Sequence, residues 1–375
     1  MSRAVAVVFA ALALVLVGVG AASGVAAAPA APAAPVRQAQ TQPPASPPPA
    51  PPPPRAWALV DADTGAVLDG GRDREPQLVA SVFKVLTAVA IVENLEAEAD
   101  VTVSSRAEGM PARKINLKAG QVWQADDLLY ALLLVSANDA AVALAERTAG
   151  TLEAFGGMLD ATAARLGMAD RPVLRDPAGL DDEFSVDGGN RISARDLAIA
   201  TRAFLAYPEL TAIVSAPDYR FAGGDGNPHR LLNHNRLLKT YPGAVGIKTG
   251  YTKKAGHSLI AAARRDGRTM IAVVIGAADP YGSAVGLLDK GFATPVQTQG
   301  EFDRLPEVRL GTAADPVTHA PPLARPVSTP TGGGRSTGGV VFPVALLVVG
   351  ATPALVILSR RSRQRRSGEA ALWRA

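Results

Sequence analysis

The 375-residue chain contains no cysteine, and that one absence removes disulfides, thiolate metal sites and a cysteine nucleophile together. Any covalent catalysis needs another nucleophile. Histidine is scarce too: His229, His234, His257 and His319 are the whole complement, and none lies in an H-E-x-x-H or similar ligand spacing, so no metal and no other cofactor is expected. Neither a Walker A loop nor a G-x-G-x-x-G follows any strand pattern, which leaves nucleotide binding without support. Charged residues make up only 19% of the chain, with a net charge of +4 whose basic excess gathers at the extreme C-terminus; no basic face recommends a nucleic-acid partner. What the chain has instead is 48% hydrophobic residues, enough for one sizeable domain plus separate apolar segments.

Two of those segments lie at the ends. Arg3, an uncharged run from Ala4 to about Val19 and the small residues Ala26-Ala27-Ala28 before Pro29 read as an export signal over 1–28. Val340 to Leu358 carries no charge and approaches the roughly 20 residues a helix needs to cross a bilayer, although Pro343 and Pro353 weaken it. Arg360, Arg361, Arg363, Arg365 and Arg366 follow at once, and clustered arginine marks the cytoplasmic side, making 359–375 a basic cytoplasmic tail. The expected location is the cell membrane, crossed once at 340–358, with the folded part outside. Residues 29–55, almost all Pro, Ala, Gln and Ser, form a linker, and 294–339 form a tail that becomes a second, Pro/Gly-rich one. That leaves 56–293 as the folded domain.

The domain opens with Trp57 to Val60, a Gly65-containing turn and Ala66 to Leu68, a strand pair. From Ser81 to about Leu95, Val82, Val85, Leu86, Val89 and Val92 recur at helical spacing. Leu128 to Leu134 and Ala140 to Ala145 are further helical segments, interrupted at Ser136-Ala137-Asn138-Asp139, and Phe155, Met158, Leu159 and Leu166 line a helix that Gly167 ends. Strand character returns in Ser258 to Ala263 and Thr269 to Ile275 about the turn Asp266-Gly267, and an amphipathic stretch, Ser283 to Phe292, is placed to cover them. The fold class expected is α/β: an antiparallel sheet formed from both ends of the domain, packed on helices, with a helical lobe inserted between them.

Three short motifs carry chemistry. Ser81 and Lys84, three residues apart at a helix start, project from one face within reach of each other, which suits a nucleophile and its base. Lysine must first lose its charge, and burial plus a nearby cation both push it that way. Alone this pattern is weak, since roughly one S-x-x-K match arises by chance in a chain this long. Ser136 and Asn138 supply a hydroxyl and an amide at a helix break, where they can relay a proton and hold a substrate amide. Lys248-Thr249-Gly250, just before the apolar hairpin, fits an edge strand whose cation and hydroxyl hold a carboxylate while Gly250 permits close backbone approach. Gly334-Arg335-Ser336-Thr337-Gly338 formally matches a nucleophile elbow but has no strand before it.

The order S-x-x-K, S-x-N, K-T-G, each at a fitting element, is the signature of penicillin-binding proteins and β-lactamases, with Ala137 here in place of the usual aspartate. With Asp176-Pro177-Ala178-Gly179-Leu180 and Gly246 to Thr252, the stretch Trp57 to Phe292 resembles the low-molecular-weight penicillin-binding proteins, the serine-type D-alanyl-D-alanine carboxypeptidases. The resemblance implies a penicillin-binding protein and β-lactamase-like transpeptidase fold, peptidoglycan pentapeptide stems as substrate and β-lactams as covalent inhibitors. It further implies that Ser81 attacks the carbonyl between two D-alanines, Lys84 takes its proton, and Ser136 passes a proton to the leaving amine. By the same resemblance Asn138 positions the peptide, Lys248 and Thr249 hold the terminal carboxylate, and the backbone amides of Ser81 and Tyr251 beside Gly250 form an oxyanion hole. No further sheet domain follows Phe292, which departs from the best-known layout. A β-lactamase, for which an E-x-x-L-N stretch is missing, and a non-catalytic wall-binding module are the alternatives.

Overall fold

The computed structural model describes residues 52–311, so the leader at 1–28, nearly all of the first linker, the span at 340–358 and the tail at 359–375 lie outside the described residues. Along the chain run β1 (Ala56–Asp61), β2 (Val67–Gly71), α1 (Lys84–Val92), β3 (Asp100–Thr102), α2 (Ser105–Glu108), β4 (Val122–Gln124), α3 (Ala125–Leu134), α4 (Asn138–Ala149) and α5 (Leu152–Leu166). Then come α6 (Ala194–Leu205), α7 (Pro208–Ser215), β5 (Asp218–Ala222), β6 (Pro228–Leu232), α8 (Leu237–Thr240), β7 (Ala244–Thr252), β8 (Gly256–Arg265), β9 (Arg268–Ala277) and α9 (Pro280–Ala293).

The main sheet has the order β2-β1-β9-β8-β7 with every pair antiparallel. Its first and last strands in sequence meet in the middle, Ala58 opposite Val273. Side chains alternate across a strand, and here both faces are buried. Ile271, Val273 and Ile275 of β9 enter the core shared with the helical lobe, while Met270, Ala272 and Val274 pack against Leu288 of α9. That double burial explains the nearly unbroken apolar run that β9 shows in sequence. Asp266 and Gly267 form the β8–β9 turn with φ +48° and +78°, the left-handed pair that matches strand twist in a two-residue hairpin. Thr151 caps α5 by accepting from Ala154 N, and left-handed Gly167 ends it.

Three features depart from the sequence reading. Ser81 does not begin a regular α-helix: it lies in a 3-10 turn, Ala80–Phe83, and α1 starts only at Lys84 and stops at Val92. No side chain caps this start, and Ala80 takes φ +57° beneath Gly179, where a Cβ would lie 2.3 Å from Ala80 O. The contact of two chain segments, invisible to periodicity, shapes the turn. Secondly, the sequence reading passes over α6, α7 and the β5–β6 hairpin; α6 is buried on nearly every side, with the charged Arg195 and Asp196 among its buried residues. Thirdly, the chain beyond Phe292 stays on the domain. Val67 N donates to Asp303 O at 2.8 Å, Leu305 N to Gly65 O at 2.8 Å, and Gly311 N to Glu93 Oε1 at 3.0 Å.

Arg195 ties this last segment down, with Nε on Asp73 Oδ2 at 2.8 Å and Nη1 on Asp303 Oδ2 at 2.6 Å. Its side chain is 10% exposed, so removing it strands a shielded Asp73. Arg195→Ala is expected to destabilise the domain by about 2–3 kcal/mol, and a chain ending at Ala293 to melt below one ending at Gly311. Calorimetric melts that coincide would show that residues 294–311 contribute nothing.

Candidate active site

Lys84 is the first residue of α1 and its side chain is wholly buried. Its Nζ lies 3.1 Å from Ser81 Oγ, 2.8 Å from Asn138 Oδ1 and 2.6 Å from Ala178 O. A protonated amine donates to all three. A neutral amine keeps two donors for the shorter contacts, to Asn138 and Ala178, and turns its lone pair to the Ser81 hydroxyl. Burial pushes Lys84 down to about 7, against the opposing pull of the Asp176 and Asp139 carboxylates. Neither carboxylate hydrogen-bonds to the amine, because both are occupied elsewhere. Asp139 accepts from Ile115 N, Leu117 N and Ala140 N, and Asp176 from Ala178 N, Leu180 N and Val186 N. Burial raises both carboxyls too, the backbone donors only partly offsetting it.

The second segment is the break between α3 and α4. Ser136 takes φ +63° there, is buried, and its hydroxyl bonds to no other described residue. Asn138 is anchored through Nδ2 to Pro111 O at 3.1 Å and through its backbone N to Arg113 O at 2.8 Å, which leaves Oδ1 for Lys84. The loop carrying Ala178 is held by Asn190, whose Oδ1 accepts from Arg175 N and Asp176 N while Nδ2 donates to Asp176 O. No local spacing in Asp176 to Leu180 points to the amine; only the fold brings the Ala178 carbonyl onto it.

The third segment is β7, an edge strand. Lys248 is paired opposite Ile260 and so shares the face turned to the helical lobe. It is 2% exposed, donates to Thr249 O at 2.9 Å, and is held well below the usual lysine range by burial and by the charges of Lys84 and Arg113. A Cβ on Gly250 would lie 2.9 Å from both Ser81 N and Val82 N, so the strand backbone rests directly on the serine turn. Tyr251 stands 56% exposed beside His257. Ser81, Lys84, Asn138, Lys248 and Gly250 therefore meet in one place, with Ser136, Thr249 and Tyr251 on the same segments. Two neighbours went unread, Arg113 and His234, since neither belongs to a recognisable spacing.

A serine hydroxyl facing a buried amine that titrates near pH 7, with a lysine-bearing strand across from it, is an arrangement suited to a serine hydrolase. A family described as D-alanyl-D-alanine carboxypeptidase matches residues 46–279, and the chain belongs to that family of serine peptidases. Among curated relatives, D-alanyl-D-alanine carboxypeptidase DacB2 of Mycobacterium tuberculosis is 32% identical over 261 residues, which cover 68% of this chain and 88% of that one. DacF of Bacillus subtilis is 33% identical over 59% of this chain, a match that spans only 57% of the relative's length. The solved D-alanyl-D-alanine carboxypeptidase of M. tuberculosis superposes with TM-score 0.61 at 32% identity, covering 69% of this chain and 98% of that one. Ampicillin-bound penicillin-binding protein D2 of Listeria monocytogenes gives 0.56 at 26% identity, covering 64% of this chain and 97% of that one. The fold is that of penicillin-binding proteins and DD-peptidases, as the resemblance implied.

The ionisation of Lys84 is open to direct measurement. Lysine-selective NMR titration is expected to show a midpoint near 7. Asp176→Asn removes a carboxylate that raises it, so the midpoint moves further down. A midpoint at the ordinary lysine value, or an upward move in the variant, contradicts the account.

Proposed function

We propose that the chain is a serine-type D-alanyl-D-alanine carboxypeptidase that removes the terminal D-alanine of peptidoglycan stem peptides and is acylated by β-lactams. The observation that carries this reading is the 3.1 Å contact between Ser81 Oγ and the buried Lys84 Nζ. Lys84 takes the hydroxyl proton as Ser81 Oγ bonds to the carbonyl carbon between the two D-alanines. The carbonyl π pair moves to oxygen, where the backbone amides of Ser81 and Tyr251 receive it; one such donor contributes about 3–4 kcal/mol to transition-state stabilisation. Collapse re-forms the carbonyl and breaks the C–N bond, with the proton reaching the leaving amine through Ser136. Asn138 positions the peptide, and Lys248 with Thr249 holds the terminal carboxylate. Water then cleaves the ester and returns the proton to Ser81.

The charge-free run at 340–358 and the arginines after it support an anchored protein whose domain lies outside the membrane, and the leader at 1–28 supports export. On that reading the substrate is met at the membrane's outer face.

D-alanine release from a peptide ending in D-Ala-D-Ala is expected of the wild type and absent in Ser81→Ala. Lys84→Arg is expected to lower it by about 10²–10⁴-fold, because guanidinium cannot surrender its proton. Acylation by penicillin should rise as pH passes through about 7, where Lys84 becomes the neutral base, and fall below it. Rapid turnover of penicillin in place of a long-lived adduct on Ser81, seen by intact-mass spectrometry, would make the protein a β-lactamase instead.

A further inference from the structure

Two loops distant in sequence meet beside Lys248. Arg113, exposed in the loop between α2 and β4, places Nη1 2.9 Å from Nδ1 of His234, in the loop between β6 and α8. Both loops are tied to the ends of the break that carries Ser136: Arg113 O accepts from Asn138 N at 2.8 Å, and His234 N donates to Leu134 O at 3.2 Å. A guanidinium can only donate, so Nδ1 is the acceptor and the imidazole proton sits on Nε2. The ring is kept neutral, down to about 4, by burial and by the charges of Arg113 and Lys248. Lys248 in turn is depressed by burial and partly by the charge of Arg113, so the guanidinium and the amine are close enough to feel each other. Among the described residues neither Arg113 nor Lys248 has a carboxylate partner.

A guanidinium and a buried amine that lie near each other without a carboxylate leave this region short of negative charge, and an anion there would pair with the guanidinium and favour the amine's charged form. The choice of holder matters as much as the charge. Aspartate or glutamate at position 234 would grip the guanidinium equally well and cancel its charge, whereas a neutral imidazole grips it and leaves the charge free for a ligand.

We propose that Arg113 is a substrate-binding residue for the terminal carboxylate, acting with Lys248 and Thr249, and that His234 is its positioning residue, holding the guanidinium near Lys248 without neutralising it. This rests on the proposed carboxypeptidase reading for the identity of the anion. The carboxylate leaves with the released D-alanine, so Arg113 contributes to binding and acylation and not to hydrolysis of the ester.

The test is equilibrium binding to full-length Ser81→Ala protein, by calorimetry, of an N-acyl-L-Lys-D-Ala-D-Ala peptide and of its C-terminal amide. Adding Arg113→Gln is expected to weaken the acid by about ten- to hundredfold, the worth of a charge-assisted contact, and the amide by no more than about twofold. His234→Asn, which still offers a neutral acceptor, retains most of the acid's affinity; His234→Asp loses about as much as Arg113→Gln. Equal losses for acid and amide, an unchanged affinity in Arg113→Gln, or His234→Asp binding as tightly as His234→Asn would each overturn the proposal. D-alanine release by the chain with Ser81 intact is measured beside these. Its absence while acid-selective binding persists would remove the proposed activity and leave the carboxylate site standing.

Discussion

An amine carried into a fully buried position, with carboxylates near it but not on it, is the constraint around which this domain is arranged. Burial disfavours the charged form of Lys84, and the fields of Asp176 and Asp139 restore part of what is lost, so that the amine titrates at about 7. Had either carboxylate formed an ion pair with Nζ, the lysine would be a locked cation and useless as a base. Each is kept away by backbone amides that occupy its oxygens, and Asn190 stiffens the loop that presents Ala178 in their place. The polar contacts of Lys84 are therefore all to uncharged acceptors.

The sheet serves the same constraint from the other side. Closing β1 against β9 buries both faces of the central strands and leaves β7 at an edge, free to lie against the serine turn. Edge strands are usually a liability. Here the edge is covered by the turn at Ser81, and Gly250 makes the approach close enough that any side chain would collide. Lys248 reaches the lobe side of this strand as a second buried amine, held well below the usual lysine range by burial and by the charges of Lys84 and Arg113.

Much of this was legible beforehand for a physical reason. Ser81 and Lys84 sit one turn apart, so sequence spacing reports their proximity directly, and the helix break at Ser136 and the strand at Lys248 are local patterns as well. The sheet's antiparallel hairpin and its closure by both chain ends also followed from local strand signals. The 3-10 turn at Ala80–Phe83 did not, because it is imposed by Gly179 from a loop about a hundred residues away. The docked segment through Gly311 was read as tail for the same reason: Asp303 gains meaning only when Arg195 is beside it.

By itself the sequence determined which residue types were available and in what order: no thiol, four histidines outside any familiar metal-ligand spacing, one serine-lysine pair, one lysine-threonine-glycine strand and a core's worth of apolar residues between two linkers. Tertiary structure alone decided their ionisation and their company. Desolvation depends on everything packed around a group, and the charges that act on it arrive from segments with no sequence relation to it. The depressed amine of Lys84, the carbonyl of Ala178 upon it, and the pairing of Arg113 with His234 across 121 residues exist only once the chain has closed.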